Sequence, residues 1–148
     1  MKITVPLLKA DVINRNGRVY TEEAIEKMIE DFNEKRGKHG TFLGQLGFPE
    51  NVDVTLSEVS HDVEKIYLEE KTLFGDIKIL ETPKGDLLKD LIEMGSIVFR
   101  PRSTGNVDSN GEVQNVNLIS FDAISSSEDV YNISDLLGWE IVKRRENK

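Results

Sequence analysis

Apolar positions along the chain repeat with a helical period in two segments and with strand-like spacing in most of the others. The first helical segment follows Thr21, a good N-terminal cap, and the acidic pair Glu22 and Glu23 matches the positive end of the helix dipole. Its apolar residues lie three or four positions apart and predict one buried stripe: Ile25, Met28, Ile29 and Phe32. The glycines at positions 37 and 40 predict where this helix ends.

The second helical segment carries the clearest boundary signals in the chain. Thr82 is placed to cap it, Pro83 suits the first helical position, and Gly95 is suited to end it. Four aliphatic side chains at helical spacing predict its buried face: Leu87, Leu88, Leu91 and Ile92.

Strand-like segments make up most of the remaining sequence. They are predicted at residues 2–10, 41–46, 56–68, 72–80, 97–102 and 113–124, with a turn at residues 108–111. Residues 134–139 predict a further short helix or strand. Together these elements predict a mixed α/β, mainly β fold: a curved or barrel-like sheet with two or three flanking helices.

Length, charge and composition narrow the function classes. A chain of 148 residues fits one domain, here residues 1–142, followed by a basic tail at residues 143–148. The net charge of −8 disfavours generic binding to nucleic acid or to anionic membranes. The N-terminal apolar run lacks a cleavage signal, and no apolar stretch reaches transmembrane length. We therefore expect a cytoplasmic protein, or a virion component assembled in the cytoplasm.

Residues able to support chemistry are few. There are no cysteines, which excludes thiolate chemistry, and only two histidines. His39 lies in a lysine- and glycine-rich helix exit and is expected to be solvated. His61 begins a strand pattern, where it is either a catalytic or ligating residue or a satisfied strand residue. No metal-binding, nucleotide-binding or hydrolase motif occurs, so we expect no metal and no cofactor.

Several segments, in order, resemble the prohead core proteases of tailed phages. Residues 12–20, V-I-N-R-N-G-R-V-Y, are similar to the family's N-R-N-x-R-x-Y, and residues 43–49, L-G-Q-L-G-F-P, to its L-G-E-L-x-H-P. Further similar segments lie at residues 73–80, 82–85, 100–105 and 118–124. The resemblance spans about residues 8–126. It implies a fold related to those of herpesvirus assemblins and phage tail-tube proteins. It also implies descent from serine endopeptidases that trim scaffold and capsid proteins.

The sequence departs from the family at both positions that carry this peptidase chemistry. Phe48 stands where the family has the histidine of its H-P motif, and phenylalanine cannot accept a proton. The family's paired serines, in G-[VI]-S-S-R-G-x-G, are replaced by Arg100 and Pro101, while Arg102 and Gly105 are retained. Losing the base or the nucleophile costs a serine protease several orders of magnitude in rate. We therefore expect a non-catalytic member that binds a scaffold, capsid or other virion protein in the host cytoplasm during infection.

Two other functions stay open at this point. A relocated pair, His61 as base and Ser103 as nucleophile, would make the chain an active serine endopeptidase of prohead maturation. Ser103 is otherwise a turn residue that bonds locally. The second is a tube-, neck- or capsid-like structural component of the virion, which docks through an edge strand and the basic tail. Either a virion role or self-association into a homo-oligomer is compatible with the sequence.

The arginines of the former serine motif also have two interpretations. Arg100 and Arg102 would present two guanidinium groups near the old active site, and guanidinium is suited to binding carboxylates of an acidic partner segment. Alternatively, both pair with the chain's own surplus of carboxylates.

Overall fold

The structure is a computed structural model that describes residues 1–47 and 49–128. Six strands and two α-helices follow one another in that part of the chain: β1 (Lys2–Lys9), α1 (Glu22–His39), β2 (Leu43–Gln45), β3 (Val59–Glu69), β4 (Thr72–Ile79), α2 (Pro83–Met94), β5 (Ile97–Val107) and β6 (Val113–Ser125). Single 3₁₀ turns precede β3 and follow β6. Phe48, the element predicted at residues 134–139 and the basic tail at residues 143–148 lie outside the described residues.

Both helices begin and end where the sequence predicts. The Thr21 hydroxyl accepts a hydrogen bond from the Ala24 N–H at 3.1 Å, and the Thr82 hydroxyl accepts one from the Gly85 N–H at 3.0 Å. Gly40 and Gly95 close the two helices with φ of 79° and 81°, a left-handed conformation that glycine adopts without a steric penalty. The predicted caps are confirmed.

The buried face of α2 differs from the prediction. Leu88 and Ile92 are fully buried and Leu91 is partly buried, but Leu87 is 46% exposed. The cause is Gly85, whose backbone lies so close to the Leu80 carbonyl that a Cβ would stand 1.9 Å from its oxygen. This contact turns the side of the helix that carries Gly85 towards the sheet, so the prediction that Leu87 is buried was wrong.

The strands form two antiparallel sheets, one of four strands in the order β1-β4-β3-β2 and one made of β5 and β6. A bridge between Leu46 and Ala123 joins them, supported by the Gly47 N–H, which donates to the Ala123 carbonyl at 2.7 Å. The mainly β class with flanking helices is confirmed.

The predicted barrel-like closure is not supported, because β1 and β5 lie in contact without a ladder between them. Pro6 lies in β1 and has no N–H to donate, and a bulge follows it in the pairing of β1 with β4. The Pro6 carbonyl accepts a hydrogen bond from the Arg100 guanidinium at 3.1 Å. The two sheets therefore remain open along this edge.

Aromatic side chains fill the space between α1 and the two sheets. Phe42 contacts Phe32 edge-on, with ring centroids 4.8 Å apart, and its ring also lies 6.1 Å from that of Phe121 on β6. This core fixes β2 and β6 beside each other, and the candidate site lies along that junction. No helix in the described part of the chain is long and apolar enough to cross a membrane.

Candidate functional site

The segment that the sequence resemblance aligns with the family's serine motif lies in the middle of β5. Arg100 pairs with Asp122, Pro101 with Phe121, and Arg102 with Ser120, all on β6. Regular pairing therefore continues straight through the positions where the resemblance places the nucleophile. Neither Arg100 nor Pro101 carries a hydroxyl.

Arg102 is the centre of a buried polar network. Its Nε lies 2.9 Å from Asp122 Oδ2, and the two side chains are only 9% and 4% exposed. The other carboxylate oxygen of Asp122 accepts hydrogen bonds from the Ser120 hydroxyl at 2.9 Å and from the Gln45 N–H at 3.2 Å. A buried charge is tolerated only when it is paired and hydrogen-bonded, and Asp122 meets both conditions.

The same guanidinium also holds the loop that follows β2. Arg102 Nη1 donates to three consecutive carbonyl oxygens, of Asn51 at 2.8 Å and of Val52 and Asp53 at 3.1 Å each. Arg102 Nη2 donates to the Gln45 side chain at 2.7 Å, and the same amide oxygen accepts from the Thr55 N–H at 2.9 Å. Arg102 thus ties the beginning and the middle of this loop to β5 and β6.

Arg100 also faces the interior. It is 5% exposed, and its Nη1 donates to the carbonyls of Pro6 at 3.1 Å and Phe99 at 2.7 Å. In this structure both guanidinium groups are committed to contacts within the chain. For Arg102 the partner is Asp122, one of the chain's own carboxylates.

His61 lies in β3, fully buried, with both ring nitrogens in short contacts. Nε2 is 2.6 Å from the Phe121 carbonyl and Nδ1 is 2.8 Å from the Ser60 hydroxyl. Because a carbonyl can only accept, Nε2 carries the proton and Nδ1 accepts from Ser60. Burial lowers the pKa of His61 from 6.5 to about 4, although the Phe121 carbonyl, Asp122 and Asp62 favour the charged form. The ring is therefore neutral near pH 7.

The structure does not bring Ser103 to His61. Ser103 lies in β5 opposite Leu118, at a bulge that follows Arg102, and is partly exposed. The ring nitrogens of His61 are engaged by Ser60 and Phe121 instead. The Ser60 hydroxyl is hydrogen-bonded to a histidine, but Ser60 is fully buried as well, so no substrate reaches it in this conformation. His39 is exposed on α1, as predicted.

Three residues of the network escaped the sequence interpretation: Gln45, Ser120 and Asp122. One signal for Asp122 was available, because it is a carboxylate in the apolar run I-S-F-D-A-I of a strand. A carboxylate at a buried strand position needs a cationic partner, and Arg102 is the arginine that the resemblance aligns with the family's motif. Among the described residues, no three histidine, aspartate or glutamate side chains form a group that could hold a metal ion.

The chain is similar to known prohead proteases in both sequence and structure. The family model described as prohead core protein serine protease matches residues 2–134. The prohead core protein protease of Enterobacteria phage T4 is 24% identical over 78 residues, which cover 53% of this chain and 37% of that protein. The solved structure of the bacteriophage T4 capsid assembly protease superposes with a TM-score of 0.74 at 25% identity, covering 84% of this chain and 81% of the other. The matched segment is thus little more than a third of the curated relative's length.

Proposed function

This chain belongs to the prohead core protein serine protease family, and we propose that it acts in phage head assembly as a non-catalytic member that binds a scaffold, capsid or other virion protein. Its place of action is then the host cytoplasm during infection. The proposed role lies in phage head assembly, as the family's does, but it does not include the family's peptidase activity.

One observation supports the proposal most strongly: the segment aligned with the nucleophile motif is engaged in an ion pair and hydrogen bonds within the chain. Arg100 and Pro101 supply no hydroxyl, and Arg102 is held by Asp122 at 2.9 Å and by the carbonyls of the loop after β2. Serine peptidase chemistry needs a nucleophile and a base within hydrogen-bond reach of each other and of the substrate. The described part of this segment offers neither.

The state of His61 supports the same proposal. A general base works best with a pKa near the operating pH, whereas burial lowers the pKa of His61 to about 4. Its accepting nitrogen already receives the Ser60 proton. For Ser103 to be activated, His61 would have to leave two hydrogen bonds and a fully buried position.

We also propose that Arg100 and Arg102 contribute to recognition of the partner protein. A carboxylate of an acidic partner would have to compete with Asp122 for Arg102. Substituting Arg100→Lys and Arg102→Lys keeps the charge and removes the planar fork that binds carboxylates in pairs. Weaker binding by a variant that still melts cooperatively supports this role. Unchanged affinity removes the arginines from the interface and leaves the assembly role standing.

The assembly role is tested by titrating the purified chain with the scaffold and capsid proteins of its own phage in a calorimeter. We expect saturable binding to at least one of them. An unrelated acidic protein of similar size and net charge is the control, because it separates specific recognition from charge effects. Absence of binding to every head protein would remove the proposal.

A structural role in the virion is the second candidate, and the β5–β6 hairpin favours it. Residues 104–110 at the outer half of this hairpin are exposed, and an exposed strand edge is a template for pairing with another chain. Quantitative mass spectrometry of purified virions separates the two candidates. A structural part is present at a fixed copy number, whereas an assembly factor is absent or substoichiometric.

A further inference from the structure

The outer side of α2 carries an apolar stripe that the described core does not cover. Leu87, Leu91 and Met94 lie at positions i, i+4 and i+7, which places them on one side of the helix. Met94 is 72% exposed and Leu87 46% exposed, while Leu91 is only partly buried. Single exposed apolar side chains are common, but a continuous stripe of them along a helix marks a surface that packs against something.

The described chain ends beside this stripe. The 3₁₀ turn Ser126–Glu128 follows β6, and the Ser126 N–H donates to the Ser96 carbonyl at 2.9 Å. Ser96 is two residues beyond Met94, the last residue of α2. Twenty residues, 129–148, therefore continue from a point next to the C-terminal end of the stripe.

We infer that the C-terminal segment of the same chain, residues 134–142, packs on the stripe formed by Leu87, Leu91 and Met94. The segment is the chain's other concentration of large apolar side chains without an assigned partner: Ile133 precedes it, and Leu136, Leu137, Trp139, Ile141 and Val142 lie within it. A short stretch of chain joins these two apolar surfaces. Packing them against each other lowers the free energy, since burial of apolar area is the main favourable term in packing.

The length of the connection allows this contact. The 12 residues of α2 rise over about 18 Å at 1.5 Å per residue. The eight residues from 129 to 136 span at most about 28 Å when extended. Leu136 can therefore reach any point of the stripe, and the short connection makes the effective concentration of the segment high.

Charge favours the same arrangement. The exposed polar residues of α2 include three acids, Asp86, Asp90 and Glu93, against one base without a described ion pair, Lys89. The segment is followed directly by Lys143, Arg144 and Arg145. Packing of residues 134–142 on the stripe brings these basic side chains near the acids of α2, where opposite charges attract.

The single tryptophan of the chain, Trp139, reports on this contact without any label. In the full chain we expect its fluorescence emission at the short wavelengths of a buried indole. Leu87→Glu and Met94→Glu, separately and together, should shift the emission to longer wavelength and increase quenching by acrylamide severalfold. Neither residue belongs to the described core, so these variants are expected to fold with a cooperative melting transition like the wild type.

Ile13→Glu is the matched control, because Ile13 is 71% exposed and lies in a different part of the surface, paired with Val19. It should leave the emission unchanged. The inference is overturned if the wild-type chain shows the emission of a solvated indole. It is also overturned if the emission of a buried indole is unchanged in both α2 variants. An indole that becomes buried only when a head protein is added overturns it as well, since the stripe would then belong to a partner.

A second measurement identifies whose segment occupies the stripe. The chain has no native cysteine, so the double variant Met94→Cys/Leu137→Cys forms a disulfide only where these two positions meet. Intramolecular cross-linking that does not depend on protein concentration supports the inference. Cross-links that join two chains only would assign the stripe to a second copy and overturn it. Ile13→Cys/Leu137→Cys is the control pair and should remain reduced under the same conditions.

Discussion

The Nε2 of His61 lies 2.6 Å from the carbonyl oxygen of Phe121, a hydrogen bond that links the four-stranded sheet to the two-stranded sheet. Gly44 of β2 pairs with His61 and lies at this crossing. A Cβ at position 44 would stand 2.2 Å from the histidine Nε2 and 2.3 Å from the Phe121 oxygen. The bond therefore exists because residue 44 has no side chain.

Gly44→Ala is predicted to destabilise the protein strongly. The added methyl group must displace both the imidazole and a backbone carbonyl, which breaks a buried hydrogen bond as well as the packing, at a cost of about 3 kcal/mol in the free energy of unfolding. Urea denaturation followed by circular dichroism measures this difference.

Gly37→Ala is the matched control for that substitution. Gly37 lies within α1, and a Cβ there would meet nothing within 4 Å. Alanine in a helix should stabilise the protein by up to about 1 kcal/mol relative to glycine. Equal effects of the two substitutions would contradict the assigned crossing.

Neutral, buried His61 predicts a particular dependence of stability on pH. Because the folded-state pKa of about 4 lies below the unfolded value of 6.5, the unfolded chain binds the proton first as the pH falls. The contribution of neutral His61 is therefore fully present above about pH 6.5 and is lost as the pH falls towards 4, a change of about 3 kcal/mol. The free energy of unfolding measured between pH 7 and 4 tests this.

The His61→Gln variant isolates the histidine in that experiment. The glutamine amide also donates to a carbonyl but does not titrate. The variant should therefore lose only the part of the pH dependence of the unfolding free energy that His61 causes. The carboxylates of Asp62 and Asp122 are present in both proteins. A slope that is the same in the variant and the wild type would show that His61 is not buried and neutral.

Removing the Arg102 side chain is predicted to release the loop after β2. Arg102→Met leaves the buried Asp122 carboxylate without its cation and three carbonyls without a donor, at a cost of about 3 kcal/mol in stability. Limited proteolysis should then cut within residues 49–55 faster than in the wild type. Arg18→Met, a substitution of an exposed arginine, should change neither quantity appreciably.

The double variant Arg102→Met/Asp122→Leu separates the ion pair from the loop. Replacing both charges removes the penalty of an unpaired buried carboxylate, so the double variant should be more stable than the sum of the two single substitutions predicts. Strict additivity would mean that Arg102 and Asp122 do not interact.

Local signals explain why the helices could be predicted from sequence and the site could not. The caps at Thr21 and Thr82 depend on residues within a single turn, and both are present in the structure. The buried face of α2 depends on a contact between Gly85 and the distant Leu80 carbonyl, and there the prediction placed Leu87 wrongly in the core.

The candidate site depends almost entirely on long-range contacts. The residues that Arg102 binds lie about 20 positions ahead of it and about 50 positions behind it in the chain, and no periodicity encodes such pairs. The partner of His61 was its own neighbour, Ser60, not Ser103. The sequence alone did lead to the prediction that arginine and proline replace the family's paired serines, because a motif can be compared without coordinates.

A cleavage assay tests whether the chain has the fold of a prohead protease without its catalytic activity. The purified wild-type chain is incubated with the scaffold and capsid proteins of its phage, and the products are identified by mass spectrometry beside the His61→Ala and Ser103→Ala variants. We expect all three proteins to leave the substrates and themselves intact, as in a sample without added chain. Cleavage at defined peptide bonds by the wild-type chain, lost in either variant, would contradict it.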